Sequence, residues 1–96
     1  MKGYLIANMG VTDKEKFEKF SGMAGPAIKK YGGKVLASGD GADRHEGKLY
    51  SKVKMIEFPN KKNAETFYFS PEYQAAKKIR EECAETDLMI IEGVSG

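Results

Sequence analysis

The run Ser38-Gly39-Asp40-Gly41-Ala42-Asp43-Arg44-His45-Glu46-Gly47 holds most of the chain's conspicuous acid–base chemistry. His45 can exchange a proton near neutral pH, Glu46 can orient it or act as a base, and Arg44 can hold an anionic substrate. His45 and Glu46 are therefore the candidate catalytic residues. Neighbours on an extended segment point in different directions, so their adjacency does not by itself assemble a site. A second group is aromatic. Phe67-Tyr68-Phe69-Ser70-Pro71-Glu72-Tyr73 crosses a helix boundary, so its rings cannot all share one face. Tyr68 and Tyr73 each join an apolar ring to a hydroxyl, which suits a pocket wall, a subunit interface or a core edge. Tyr4 near the start of the first strand and Asn8 near its end complete a candidate ligand-binding set of Tyr4, Asn8, Arg44, Tyr68 and Tyr73. A tyrosine hydroxyl of ordinary pKa, about 10, orients a ligand better than it removes a proton.

Other chemistries lack the residues they need. A single histidine and a single cysteine, with no HExxH or CxxC spacing, give no metal site. Asp40, Asp43 and Glu46 lack the EF-hand pattern and read as solvated acids. Gly39-Asp40-Gly41 is followed by no GK[ST] and belongs to no GxGxxG, so it permits a turn and cradles no phosphate. No cofactor is expected. Cys83 lies in a helical pattern beside Ile79 and Ala84, as a packing residue.

The elements that must position these groups follow from periodicity and caps. Tyr4-Leu5-Ile6-Ala7, extended by Met9, reads as a strand. Thr12 and Glu15 form a Thr-x-x-Glu capping box, which predicts a helix from Asp13. Its buried stripe is Phe17, Phe20, Ala24, Ile28 and Tyr31. Gly22, Gly25 and Pro26 predict a division or bend in that helix, and Gly32-Gly33 its end. Lys34–Ala37 is a short strand, and Tyr50–Phe58 a longer one stopped by Pro59. Asn60 caps a short helix containing Ala64, Phe67 and Tyr68. Ser70 caps another that begins at Pro71, where Tyr73, Ala76, Ile79 or Arg80, and Cys83 mark the inner side. Asp87 introduces a final strand, Leu88–Glu92.

This order, strand, helix, strand, strand, broken helix, strand, predicts an α+β fold over residues 1–96. It is the ferredoxin-like split βαβ arrangement, a four-stranded antiparallel sheet with helices on one face. In the first strand Tyr4 and Ile6 point opposite Leu5, Ala7 and Met9; in the last, Leu88 and Ile90 point opposite Met89 and Ile91. Both faces of the sheet are therefore apolar, while helices cover only one. The expected covering for the other is a second copy of the chain.

The charge balance, 16 basic against 14 acidic side chains for a net +2, argues against nucleic-acid binding. Lys14, Lys16 and Lys19 alternate with Glu15 and Glu18, and Lys77 and Lys78 precede Glu81 and Glu82 by one helical turn, as solvated faces do. No apolar run reaches membrane-spanning length, so no membrane role is expected and a cytoplasmic location is the default.

The ordered set of Lys2-Gly3-Tyr4-Leu5-Ile6-Ala7, Gly32-Gly33-Lys34-Val35-Leu36, Glu46-Gly47, Ile56-Glu57-Phe58-Pro59 and Ala64-Glu65-Thr66-Phe67-Tyr68-Phe69-Ser70-Pro71-Glu72-Tyr73-Gln74, followed by Arg80, resembles the DUF1330 family over nearly the whole chain. The resemblance implies a dimeric α/β barrel of the ferredoxin-like class. The broader superfamily includes small-molecule-binding proteins and cofactor-free monooxygenases. Ser38-Gly39-Asp40-Gly41 departs from the Arg-Gly-Gly-like run often seen after the second strand, which leaves Arg44 to supply that charge from a shifted position. The leading expectation is a homodimeric small-molecule-binding protein. The alternatives are a cofactor-free oxygenase or isomerase acting on a small metabolite, and a structural or protein-interaction module.

Overall fold

A computed structural model describes residues 1–95. The elements run β1 (Gly3–Val11), α1 (Lys14–Lys30), β2 (Lys34–Gly39), β3 (Lys52–Phe58), α2 (Lys61–Tyr68), α3 (Pro71–Cys83) and β4 (Ala84–Glu92). The strands form one four-stranded sheet in the order β2-β3-β1-β4, every pairing antiparallel. This is the ferredoxin-like α+β arrangement expected from the element order. The expected barrel is not present: β2 and β4 are edges, and the sheet stays open. Four strands are too few to close on themselves, because a barrel of side-chain-filled radius needs about eight.

Local chemistry places the helix starts. Ser70 Oγ accepts from the Tyr73 amide at 3.1 Å, with Pro71 in the first turn where no amide hydrogen is needed. Asn60 caps α2 in the same way through the Asn63 amide at 2.8 Å. The cap of α1 is Asp13, one residue beyond the expected Thr12; its carboxylate accepts from the Lys16 amide at 3.1 Å. An aspartate competes well for this position because its charge also complements the helix dipole.

Helix α1 runs undivided through Gly22, Gly25 and Pro26. Both glycines face open space, and the stripe of Phe17, Phe20, Ala24, Ala27 and Ile28 is buried. Packing thus outweighs poor local propensity. The helix ends where Gly32 adopts φ +81°, and the Gly33 amide returns to the Ile28 carbonyl at 2.8 Å. Gly33 is also needed for space. A Cβ there would meet Ile28 Cγ2 at 2.7 Å and Phe58 Cε1 at 2.9 Å.

Leu5, Ala7, Met9, Ile56 and Phe58 point from the sheet into the helix-side core, where Phe58, Phe67 and Cys83 are fully enclosed. Phe67 stacks within 5.3 Å of Phe58 and 4.7 Å of Tyr73, ring centre to ring centre. The opposite face carries Tyr4, Ile6, Met55, Met89 and Ile91 in register across β3, β1 and β4. Met89 and Ile91 are 59% and 53% exposed, so no helix of this chain shields that side. Strand β2 is exposed along its length, since α1 leans on α3 instead of lying over the β2 edge. A cleft is left between α1 and the β2–β3 side of the sheet. Among the described residues no helix is long and apolar enough to cross a membrane, and no three potential metal ligands gather.

Candidate functional site in the helix–sheet cleft

Strand β3 was expected to contribute its apolar residues, but its alternation also turns two lysines toward the helices. The register sets Lys54 opposite Ala7 and Lys52 opposite Met9, both of which are buried on the helix side. Lys52 is neutralised by Asp40, Nζ to Oδ1 2.9 Å, and lies 5.0 Å from the centre of the Phe17 ring. Lys54 has no such partner. The ion pairs among the described residues are Lys2–Glu57, Lys16–Glu82, Lys30–Glu72 and Lys52–Asp40. Burial, aided by the Lys52 charge, pushes the Lys54 ammonium below its ordinary pKa.

Lys54 stands at the inner end of the cleft. The cleft has a volume of about 550 Å³, and its walls include Gly25, Pro26, Ile28, Lys29 and Val35. Lys54 also borders a small cavity of about 20 Å³ whose other walls include Ala7, Phe20, Ile56, Phe67, Tyr73 and Arg80. That is room for a single water-sized group. Arg80 is 94% buried there. Its Nη1 donates to the Tyr73 hydroxyl, and its guanidinium carbon lies 5.9 Å from the centre of the Phe20 ring. Arg80 Nε has no hydrogen-bond partner. Burial raises the pKa of Tyr73 against the opposing charge of Arg80, so the phenol stays protonated. A buried cation with a free donor, beside a half-buried lysine with no acid, is an arrangement that ordinary core packing avoids. A separate groove of about 410 Å³ at the start of α1 mixes Lys14, Glu18, Asp40 and Lys52, and its charges balance.

The structure distributes the sequence candidates over both faces. Tyr73 borders the inner cavity. Tyr68 is half-buried beside it, 5.4 Å away ring to ring, with Lys77 over its own ring. Tyr4 and Asn8 lie on the open face, across the sheet from the cleft. Tyr4 donates to Glu57 Oε2 at 3.2 Å. Asn8 donates to the Tyr50 and Lys52 carbonyls and accepts from the Tyr50 amide at 2.9 Å. Tyr50 therefore precedes β3 and lies against Gly10, where its hydroxyl meets Glu85. Arg44, His45 and Glu46 are exposed in the β2–β3 connection, and Arg44 donates to the Leu49 carbonyl at 3.0 Å. Lys54 was not among the candidates. Its signal was parity: Lys52 and Lys54 alternate in step with Ile56 and Phe58.

Comparison with solved structures supports the fold. The protein RPA0582, of unknown function, from Rhodopseudomonas palustris is similar at a TM-score of 0.77 and 16% identity, over 99% of this chain and 84% of that one. SnoaB, a cofactor-independent oxygenase from Streptomyces nogalater, is similar at 0.69 and 7% identity, over 99% and 95% of the two chains. A dimeric protein of unknown function and ferredoxin-like fold from Bacteroides fragilis is similar at 0.56 and 19% identity, over 96% of each chain. A sequence comparison with curated proteins finds no match. The family model for the domain of unknown function DUF1330 matches residues 2–94, and the chain belongs to that family.

Proposed function

We propose that the protein takes a small, largely apolar organic molecule into the cleft between α1 and the β2–β3 side of the sheet, and that it acts there as a cofactor-free oxygenase or isomerase. The observation that carries this reading is buried Arg80, whose Nε has no hydrogen-bond partner, at the small cavity that adjoins the cleft through Lys54. The cleft volume of about 550 Å³ lies within the usual range for small-molecule sites. A donor fixed in a dry site stabilises negative charge that develops on a substrate oxygen, without reorganising at the moment of reaction. An enolisable substrate would pass a carbon-bound proton to solvent water at the mouth of the cleft, where no carboxylate or imidazole lines the wall, as its oxygen moves toward Arg80. In an isomerase the proton returns at another carbon. In an oxygenase the carbanion adds dioxygen, the peroxide anion takes a proton back from solvent, and the hydroperoxide loses water to leave a carbonyl. The likeness to SnoaB is in keeping with this class of chemistry.

The open sheet face is assigned to a second copy of the chain, because Met89 and Ile91 stand exposed there beside Ile6 and Met55. A cytoplasmic location goes with this reading. The deciding experiment follows α-proton exchange by NMR in deuterated buffer for a set of enolisable bicyclic ketones, with and without protein. Exchange above the buffer rate, reduced in R80K, is the expected result. Saturable binding with exchange at the buffer rate for every ketone would reduce the function to binding alone.

A further inference from the structure

The substrate class can be narrowed further, given the cleft reading just proposed. We infer that the ligand is an organic acid, whose ionised group is held by Lys54 while the apolar body fills the cleft. Three observations meet at this side chain. Its position on β3, opposite Ala7 and Ser38, turns it toward the helices and away from the open face. It borders the outer cleft, the small cavity next to Arg80 and a further cavity of about 60 Å³ beside Phe17 and Phe20. Among the described residues no acid forms an ion pair with it.

The last point is informative because the neighbouring lysine is treated differently. Lys52 shares the same face and finds Asp40 at 2.9 Å, whereas the inner residues of α1 opposite the sheet are Phe17, Phe20, Ala24, Ala27 and Ile28. Helix α3 adds Tyr73 and Arg80, a protonated phenol and a second cation. The groups around Lys54 are thus apolar, neutral or positive, which costs stability and suits the approach of one negative group. A mostly apolar wall, with half-buried Lys54 at its inner end and Lys29 exposed to solvent, fits a carboxylate or phenolate on a compact hydrocarbon skeleton. It does not fit a phosphate ester, which would call for several donors around three oxygens. Arg80, which borders the adjoining cavity, is the second cation, toward which the oxygen that gains charge during reaction is turned.

The test uses 2-naphthoate and the nearly isosteric neutral amide 2-naphthamide as probes, titrated into the full chain by calorimetry. The wild-type protein is expected to prefer the acid by about tenfold or more, the size of one charge-assisted hydrogen bond in a partly buried site. K54M and K54Q should lose that preference while keeping affinity for the amide. Protein labelled at arginine Nε gives a second readout: the Arg80 resonance should move on addition of either probe to wild type and to both variants. Equal affinity for acid and amide, or a preference that survives K54M, would overturn the acid assignment and leave the cleft reading intact. No binding of either probe and no movement of the Arg80 resonance would remove both.

Discussion

Replacing Lys54 by methionine should make the protein more stable. Methionine keeps the length and flexibility of the lysine stem and replaces the ammonium with an apolar end that suits the surrounding Ala7, Ile28 and Ile56. The added burial corresponds to one methyl-sized group, about 0.8 kcal/mol. Loss of the like-charge repulsion from Lys52 adds a few tenths at this half-exposed position. The sum, about 1 kcal/mol, corresponds to roughly 4–8 °C in Tm for a chain of this size. Urea denaturation followed by circular dichroism at fixed protein concentration would show a higher midpoint at unchanged slope. The pH dependence makes the prediction more specific. Below its lowered folded pKa, Lys54 carries a charge that the fold holds poorly, and the penalty is complete. As pH rises through that value toward the unfolded value of about 10.5, the unfolded chain binds the proton that the folded chain has released. Wild-type stability therefore rises relative to K54M over that window, and the gap between the two narrows. Tyr4, Tyr50 and Tyr73, whose pKa values are raised, lose stabilising influence at high pH in both proteins and cancel in the difference. A K54M variant less stable than wild type at neutral pH would show that Lys54 holds the fold together, and the case for it as a ligand-binding residue would fall.

Two further perturbations test the surroundings of the site. Glu72 receives Lys30 Nζ and, at 2.9 Å, the Tyr31 hydroxyl, and its carboxyl is pulled down to about 2, by the lysine first and its own backbone amide next. Because this pKa is depressed, the stabilisation is complete above the ordinary value of about 4.5 and disappears as pH falls to about 2; the urea midpoints of wild type and E72Q should differ at pH 6 and converge at pH 2, and a constant difference would refute the link. Y73F removes the acceptor of a buried guanidinium, and the orphaned Nη1 should cost about 1–3 kcal/mol by equilibrium unfolding, with a smaller cost when R80M is already present. Additive effects of the two substitutions would mean that the Arg80–Tyr73 bond contributes nothing of its own.

Much of the fold was legible because its signals are short-range. Asn60 and Ser70 announce their helices through a side-chain oxygen that reaches an amide three residues on, so neighbouring residues suffice. The order of elements and the parity of β1 and β4 then imply a helix-covered face and an uncovered one. The errors arose where distant residues decide. Gly25 and Pro26 weaken α1 locally, yet the helix continues because its stripe is buried against other elements. Tyr50 has the composition of a strand residue, but Asn8, far away in sequence, holds its backbone outside β3. The barrel was carried by resemblance and not by any local pattern, and the open edges of β2 and β4 replace it.

The candidate site was harder to read, for the same reason in a sharper form. His45, Glu46 and Arg44 drew attention as a run of reactive side chains, and the structure leaves them exposed in a connection. The residues at the inner end of the cleft are scattered through β3 and α3 and look unremarkable one by one. Arg80 could be placed on the inner side of its helix, where a guanidinium among Tyr73, Ala76 and Cys83 is an anomaly. Lys54 gave the same warning, since its parity aligns it with Ile56 and Phe58 and against Met55 and Glu57. A charge that follows the apolar repeat of a strand sets local pattern against global fold. Such conflicts persist in a stable protein when something other than stability maintains them. In β3 the lysine nearer the edge of that conflict is answered by Asp40, and the inner one by no acid among the described residues. The asymmetry between Lys52 and Lys54 therefore separates a charge balanced for folding from one left available to a ligand.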